Sequence, residues 1–374
     1  MPALNFFSEA LMTPELVLNH NRMQQNLLRM RTQLKMLGVS FRPHVKTAKC
    51  AEVVEQMVEK PLGPITVSTV REAQEMAACG YRDILYAVGL SPNKVEPVWS
   101  LKQQGINIKV ITDSMEMVQA ILAKTQGSLD FLIEIDSDDH RAGLKPGHPE
   151  IVEIARTLGQ AGHRVLGVMT HAGGSYSSQN PGELGTWAER ERAAVVQAAD
   201  QLREIGTAVS IVSLGSTPTA LFAQDLSGVT EVRAGVYVFM DLVMAGLGVC
   251  EWDQIALSVR TTVIGQNRQK GWTLVDAGWM ALSRDRGTAN QAYDHGYGLV
   301  CDQDGRVLED WFVESVNQEH GIIIDRSERN RVFPLGSILH ILPNHACSTA
   351  AQFDAYQVEF PNQPTQTWQR FRGW

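Results

Sequence analysis

The sequence predicts an α/β chain: a TIM-type (β/α)8 barrel over residues 14–250, followed by a mostly β domain over residues 251–374, with residues 1–13 able to join the second. Two observations predict this. From about Leu16 to Phe239, short and continuously apolar runs alternate with stretches of helical spacing. Parallel strands buried on both faces, with their crossover helices, leave that pattern. From about Ile255 the long helical patterns stop, and β-rich runs are separated by Gly, Asp, Asn and Pro.

A short lead-in strand is expected at Leu16–Leu18. Barrel strands follow at Phe41–Val45, Ile65–Val67, Ile84–Val88, Ile108–Ile111, Phe131–Ile135, Val165–Met169, Ile211–Leu214 and Val232–Phe239. Between them, Val53-Val54 with Met57-Val58, and Val118 with Ile121-Leu122, suit one face of a helix. About eight β-then-α units in succession point to a closed barrel rather than an open doubly wound sheet. In the second domain, strands are expected at Leu257–Ile264, Trp272–Val275, Trp311–Val316, Ile338–Leu342 and Tyr356–Phe360.

Composition narrows the function. The 374 residues exceed one ordinary core, and 44% hydrophobic with 20% charged residues is usual for a globular enzyme. With 33 Lys and Arg against 41 Asp and Glu, the net charge of −8 argues against a nucleic-acid or anionic-membrane surface. Five scattered cysteines suit a reducing compartment better than a disulfide framework. The N-terminus lacks a basic start and apolar core, and no apolar run reaches bilayer length. A cytoplasmic enzyme is expected.

A P-loop, HExxH, paired CxxC, Gly-x-Ser-x-Gly elbow and a dinucleotide glycine fingerprint are all absent. What remains lies at the C-terminal ends of the expected barrel strands, where such barrels build their sites. The first strand ends in His44-Val45-Lys46, and Asp136 with His140-Arg141 follows the fifth. The sixth runs into Thr170-His171-Ala172-Gly173-Gly174-Ser175-Tyr176, and the seventh into Gly215-Ser216-Thr217-Pro218-Thr219. The eighth carries Glu231-Val232-Arg233-Ala234-Gly235-Val236-Tyr237. A lysine at a buried strand end loses hydration, which lowers its pKa and frees the amine for a Schiff base. The bland alternative is a lysine that caps a strand or pairs with an acid. Turns at the last two strands offer backbone N–H groups and hydroxyls where these barrels often hold phosphate, and the alternative there is a plain tight turn. Lysine and turns together point to a phosphorylated aldehyde cofactor.

A second cluster is Pro343-Asn344-His345-Ala346-Cys347. In an extended segment His345 and Cys347 share a side, and both are ligands for an ion such as zinc. Two ligands are too few for a closed structural site, so an open, catalytic-type metal is the functional reading. A packed histidine beside an inert thiol is the plain one.

These residues together carry a likeness. Arg42-Pro43-His44-Val45-Lys46-Thr47 resembles the cofactor-lysine segment of the D-threonine aldolase and eukaryotic-type D-serine dehydratase family, whose fold is alanine racemase-like. The likeness continues through His140-Arg141-Ala142-Gly143, Thr170-His171-Ala172-Gly173, Gly215–Thr219, Glu231–Tyr237 and Pro343–Cys347. Within that family the chain most resembles a bacterial dehydratase, notably along Glu231–Met244 and Val275–Thr288, and the segments appear in the family's order over almost the whole chain. The resemblance implies pyridoxal 5'-phosphate, a divalent metal (Zn or Mn) and a homodimer. It implies Lys46 as the Schiff-base residue, Arg141 near the cofactor's phenolic oxygen, and Tyr176 or Arg233 at the ring nitrogen. Gly215, Ser216, Thr217, Gly235 and Val236 would surround the phosphate. His44, His171 and Tyr237 join the cofactor contacts, and His345 and Cys347 hold the metal.

Such a cofactor is the electron sink, and the protein selects the bond that breaks. In alanine racemases a tyrosine is the second base. The similar stretch here, Ala277-Gly278-Trp279-Met280-Ala281, offers Trp279, whose indole cannot act as a base. A metal suits a β-hydroxyl substrate, as a Lewis acid that eases loss of hydroxide after Lys46 removes the Cα proton. The expected activity is dehydration of D-3-hydroxyamino acids, such as D-serine or D-threo-3-hydroxyaspartate, to a 2-oxo acid and ammonia. Retro-aldol cleavage to glycine and an aldehyde is the alternative, then racemisation. His-x-Cys resembles the dehydratases, whereas the aldolases tend to carry His-x-Asp. Non-catalytic binders of the same cofactor are single barrels that lack a second β domain.

Overall fold

In the computed structural model, residues 12–178, 180–327, 329 and 331–374 are described. Strand β1 spans Glu15–Asn19. Eight parallel strands then build the barrel: β2 Ser40–Phe41, β3 Ile65–Val67, β4 Asp83–Gly89, β5 Asn107–Thr112, β6 Asp130–Ile135, β7 Arg164–Thr170, β8 Ile211–Leu214 and β9 Glu231–Val232. The sheet order is β2-β9-β8-β7-β6-β5-β4-β3. A parallel bridge between His44 and Thr66 joins its two edges and closes the barrel.

The apolar runs became strands because both faces are covered; every residue of β6 is buried. The intervening segments became helices with one buried stripe, as Ile151, Ile154, Ala155 and Leu158 show in Glu150–Gln160. Their starts are sealed locally: Asn19, Thr69 and Ser114 each accept from an orphan N–H of the first turn. Inside the barrel, Leu85, Ile111, Leu132 and Met169 form an apolar plug. Toward the strand starts lies a charged layer. Arg42 pairs with Asp83 at 2.7 Å and Glu231 at 2.8 Å, and Lys109 pairs with Asp83 at 2.7 Å.

The second sheet contains β10 Leu257–Asn267, β11 Trp272–Val275, β12 Leu299–Cys301, β13 Val307–Val316, β14 Gly321–Asp325, β15 Ile338–Leu342, β16 Ala355–Glu359 and β17 Gln366–Gln369. Its order is β11-β14-β13-β12-β15-β10-β1-β16-β17. The expected lead-in strand therefore forms, but in this sheet. It lies antiparallel to β10 and parallel to β16. Leu16, Val17 and Leu18 are apolar at consecutive positions because both faces of β1 are covered there too. The division at residues 14–250 and 251–374 is thus crossed by β1. Of residues 1–13, only Met12 and Thr13 are described, and Thr13 bonds Thr262 and Asp276 of the second sheet.

Two further expectations change. The eighth barrel strand was expected to run to Phe239, but β9 ends at Val232. Backbone pairing goes on through His44 N–H to Ala234 O, then Gly235 leaves the sheet and Val236–Val238 coil into a 3-10 turn. Strands β12, β14 and β17 were not foreseen, being short or set among turn residues. No helix among the described residues is long and apolar enough to cross a membrane.

Candidate active site

The C-terminal strand ends open into a cavity of about 400 Å³, lined by barrel turns on one side and by residues 285–287 and 345–347 on the other. Lys46, His44, Arg141, His171, Tyr176, Gly215, Ser216, Thr217, Arg233, Gly235, Val236, His345 and Cys347 all line it.

Lys46 sits on a turn just past the His44 bridge, not at a buried strand end. It is exposed to the cavity, so the expected loss of hydration is not supplied by the barrel's own atoms. Its backbone N–H donates to His44 Nδ1 at 3.4 Å, which leaves Nε2 to donate to Ser68 Oγ at 3.1 Å. Burial, then Lys46 and Arg233, hold His44 well below the usual imidazole range. His171 is pushed down to about 3, by burial and then by Lys46. Its Nδ1 donates to Gly215 O at 3.0 Å. Both imidazoles are therefore neutral at pH 7.

Arg233 is buried, with Nε on Ser213 Oγ at 2.9 Å and a second nitrogen on Thr170 O. Arg141 is more exposed and reaches Glu134 at 3.3 Å. Burial raises the Tyr176 hydroxyl, which takes a hydrogen bond from the Thr217 amide. That contact sets Tyr176 beside the turn after β8.

The turns after β8 and β9 form a cup in the cavity wall and press closely on neighbouring chain at two glycines. Gly215 has φ 129°, and a Cβ there would fall 2.4 Å from Arg233 O. A Cβ at Gly235 would meet Thr47 Oγ1 at 3.0 Å and His44 O at 3.2 Å. Ser216 caps the following helix, Thr217–Phe222, in a capping box with Thr219. Tyr237 departs from expectation. Its amide donates to Thr217 Oγ1, but its ring packs edge-on against Phe41 in the core and is absent from the cavity wall. It fell on the wrong side because the chain coils at Val236–Val238 instead of continuing as a strand, so alternation no longer applies.

His345 and Cys347 meet, though not as alternate residues of an extended segment. His345 is extended and caps the short helix Ala346–Ala350, and the first helical turn brings the Cys347 thiol back to its ring. Burial alone would push the Cys347 thiol up, but His345 and then Lys46 bring it below its usual value. Burial opposes charge on His345, yet Cys347 and the Asp285 carboxylate raise it to about 11. His345 Nδ1 lies 2.7 Å from Asp285 Oδ2 and 3.0 Å from Ser348 Oγ. Among the described residues no group of three or more His, Cys, Asp or Glu has a geometry that could hold a metal ion.

Sequence reasoning missed Ser68, Asp241 and Asp285. Asp241 accepts from Met244 N–H and Ala346 N–H, tying the end of the barrel to the helix that carries Cys347. Asp285 lies on irregular chain, with no periodicity to flag it. Trp279 does not line the cavity; its ring lies under Arg284 at 4.0 Å.

Residues 18–243 match the model of the alanine racemase N-terminal domain, and residues 256–359 match a putative serine dehydratase domain. The chain belongs to the alanine racemase-like family. Within the family it is 49% identical to D-threo-3-hydroxyaspartate dehydratase of Delftia sp. (strain HT23), covering 97% of this chain and 98% of that protein. It is 29% identical to D-serine dehydratase of Dictyostelium discoideum, over 92% and 93%. A solved metal-free form of a Cys-to-Ala variant of D-threo-3-hydroxyaspartate dehydratase superposes with TM-score 0.95 at 48% identity, over 98% of this chain and 99% of that one. Membership in this family implies pyridoxal phosphate.

Proposed function

We propose that the chain is a pyridoxal-phosphate- and divalent-metal-dependent dehydratase of D-3-hydroxyamino acids, which releases a 2-oxo acid and ammonia. The observation that carries this reading is the meeting of two chemistries in one cavity. Thr47 Oγ1, next to Lys46, lies 3.2 Å from Cys347 Sγ. The relatives named above, dehydratases of D-threo-3-hydroxyaspartate and D-serine, support the same choice.

The residues present fit the cofactor. Gly215 and Gly235 let the turns after β8 and β9 pack closely on Arg233 and on Thr47 and His44, and Ser216 and Thr217 bring hydroxyls to the cavity wall. Behind the cup, the buried Glu191 accepts from Ala172 and Gly215 N–H through Oε1, while its Oε2 has no hydrogen-bond partner among the described residues. Burial raises this carboxyl, which favours a neutral acid beside a phosphate. Lys46 would hold the aldehyde carbon, with Arg141, His171, Tyr176 and Arg233 around the ring. Bound pyridoxal phosphate supplies the electron sink that makes the Cα proton acidic. Lys46 Nζ, the only amine in the cavity wall among the described residues, would move that proton. Neutral His44 fixes the Lys46 turn through its backbone N–H and leaves proton transfer to the amine.

The donor set of His345 and Cys347 suits zinc, with manganese the second choice. A thiolate and a neutral imidazole are the ligating forms, so metal binding would displace the proton that the pair shares. Asp285 holds His345 by Nδ1 and thereby leaves Nε2 as the ligand atom. The bound cation supplies Lewis acidity for loss of the substrate's β-hydroxyl. The reading extends to a homodimer and to a barrel-plus-β-domain division near residue 250.

The deciding experiment incubates purified enzyme with D-serine, D-threo-3-hydroxyaspartate and D-threonine and measures 2-oxo acid, ammonia and glycine. Equal amounts of 2-oxo acid and ammonia are expected, lost on chelation and restored by zinc or manganese. Glycine and aldehyde without 2-oxo acid would overturn it in favour of retro-aldol cleavage.

A further inference from the structure

The Lys46 turn and the helix behind Cys347 come from opposite ends of the chain, and one buried guanidinium touches both. Arg370 follows β17 and is 8% exposed. Its Nε donates to Ala48 O at 3.1 Å and to Tyr356 Oη at 2.9 Å. Nη1 donates to Phe353 O at 2.8 Å and to Ala350 O, the last residue of the Cys347 helix. Tyr356 Oη in turn donates to Ala48 O at 2.7 Å. The next residue along, Phe371, donates its N–H to Lys49 O at 2.9 Å. The described partners of the Arg370 side chain are carbonyl oxygens and a phenol, with no carboxylate among them.

Burying a guanidinium is costly, and an apolar residue of similar volume would hold a core at least as well. What an apolar residue cannot do is fix separate chain segments at set distances with several directional bonds from one planar fork. Here the fork joins the turn that carries Lys46 to the end of the helix that begins at His345. On the cavity side, the hydrogen bond described between the same two segments is Thr47 Oγ1 to Cys347 Sγ at 3.2 Å. The geometry assigns Arg370, with Tyr356, as a positioning residue that holds the Lys46 amine and the His345/Cys347 pair in register across the cavity. The roles of those three residues rest on the function proposed above; the clamp does not touch the substrate. Removing it lets the lysine turn and the metal pair drift apart while each remains present.

The test compares wild type, Arg370→Ala and Tyr356→Phe holoenzyme, and reads kcat and KM, zinc affinity by chelator competition, and the absorbance of lysine-bound cofactor. For Arg370→Ala, kcat falls about 100-fold, the loss expected of an ångström-scale misplacement, with KM changed far less. Zinc binding weakens about tenfold, as for loss of a group that orients a ligand. Added guanidinium ion restores part of both, and the absorbance persists with a shifted maximum. Tyr356→Phe removes one donor with little change of volume and moves the same quantities less; it decides the matter if Arg370→Ala does not fold. Wild-type kcat, zinc affinity and absorbance in the folded variants overturn the clamp. So does a loss of activity that only tracks the unfolded fraction and is not rescued by guanidinium. A wild type that makes no 2-oxo acid would refute the functional reading, while the zinc and absorbance measurements would still judge the clamp.

Discussion

Lys46 is surrounded by groups whose charge states are arranged around it. His44 and His171 are both driven neutral, partly by the lysine itself, so neither competes as a cation for an anionic cofactor or substrate. Lys46→Ala should retain the fold, because the side chain is exposed in the cavity, and should lose the visible absorbance of lysine-bound cofactor completely. A spectrum unchanged from wild type would refute the assignment. At this scale most of the site was legible in the chain. Lys46, Gly215, Arg233, His345 and Cys347 stood in motifs at the ends of apolar runs. Asp285 and Asp241 were not, since an aspartate in irregular chain carries no pattern until the fold sets it against His345 or Ala346.

Among the elements, the barrel strands are held at their starts by the charged layer of Arg42, Asp83, Lys109 and Glu231. Arg42 is 4% exposed, so deleting it leaves Glu231 in the interior with only Ser213 as a described partner. Arg42→Ala should lower the unfolding free energy by about 3–5 kcal/mol, and Arg42→Met with Glu231→Met should lose much less than the sum of the single changes. Urea unfolding of Arg42→Ala and of the four proteins of the Met cycle checks it, and additive losses would count against a coupled pair. Periodicity located six of the eight barrel strands closely but overran the first, where β2 ends at Phe41 and only the His44 bridge follows, and the eighth. Val232 through Phe239 is apolar enough for a strand, yet the turn at Gly235 takes the chain out of the sheet. Apolarity reports burial, and a buried 3-10 turn looks the same as a buried strand in a short window.

Segments near the two ends of the chain bind the whole molecule together: β1 lies between β10 and β16 in the second sheet, and Arg370 and Phe371 reach back to the Lys46 turn. That sheet also carries a pH response. His340 on β15 is pushed down to about 4, by burial and then by Arg260. In the unfolded chain it gains a proton below about pH 6.5, while the folded chain resists until about 4. Its contribution is therefore present above pH 6.5 and lost as the pH falls toward 4, on the order of 2–3 kcal/mol. Relative to His340→Gln, the wild type should lose stability between pH 7 and 4.5 in urea titrations; parallel pH profiles for the two proteins would contradict this. By itself the sequence determined the eight β/α repeats, the change to a β-rich half, the lysine, the small-residue turns and the His-x-Cys pair, because burial on two faces and side-chain chemistry are local properties. Only the tertiary structure decided that β1 belongs to the second sheet, that Tyr237 turns into the core, that the first turn of a helix brings Cys347 to His345, and that Arg370 joins the two halves of the site. The His345–Cys347 turn is local but shows no periodicity; the other three depend on contacts between residues tens to hundreds of positions apart, which no window along the chain can contain.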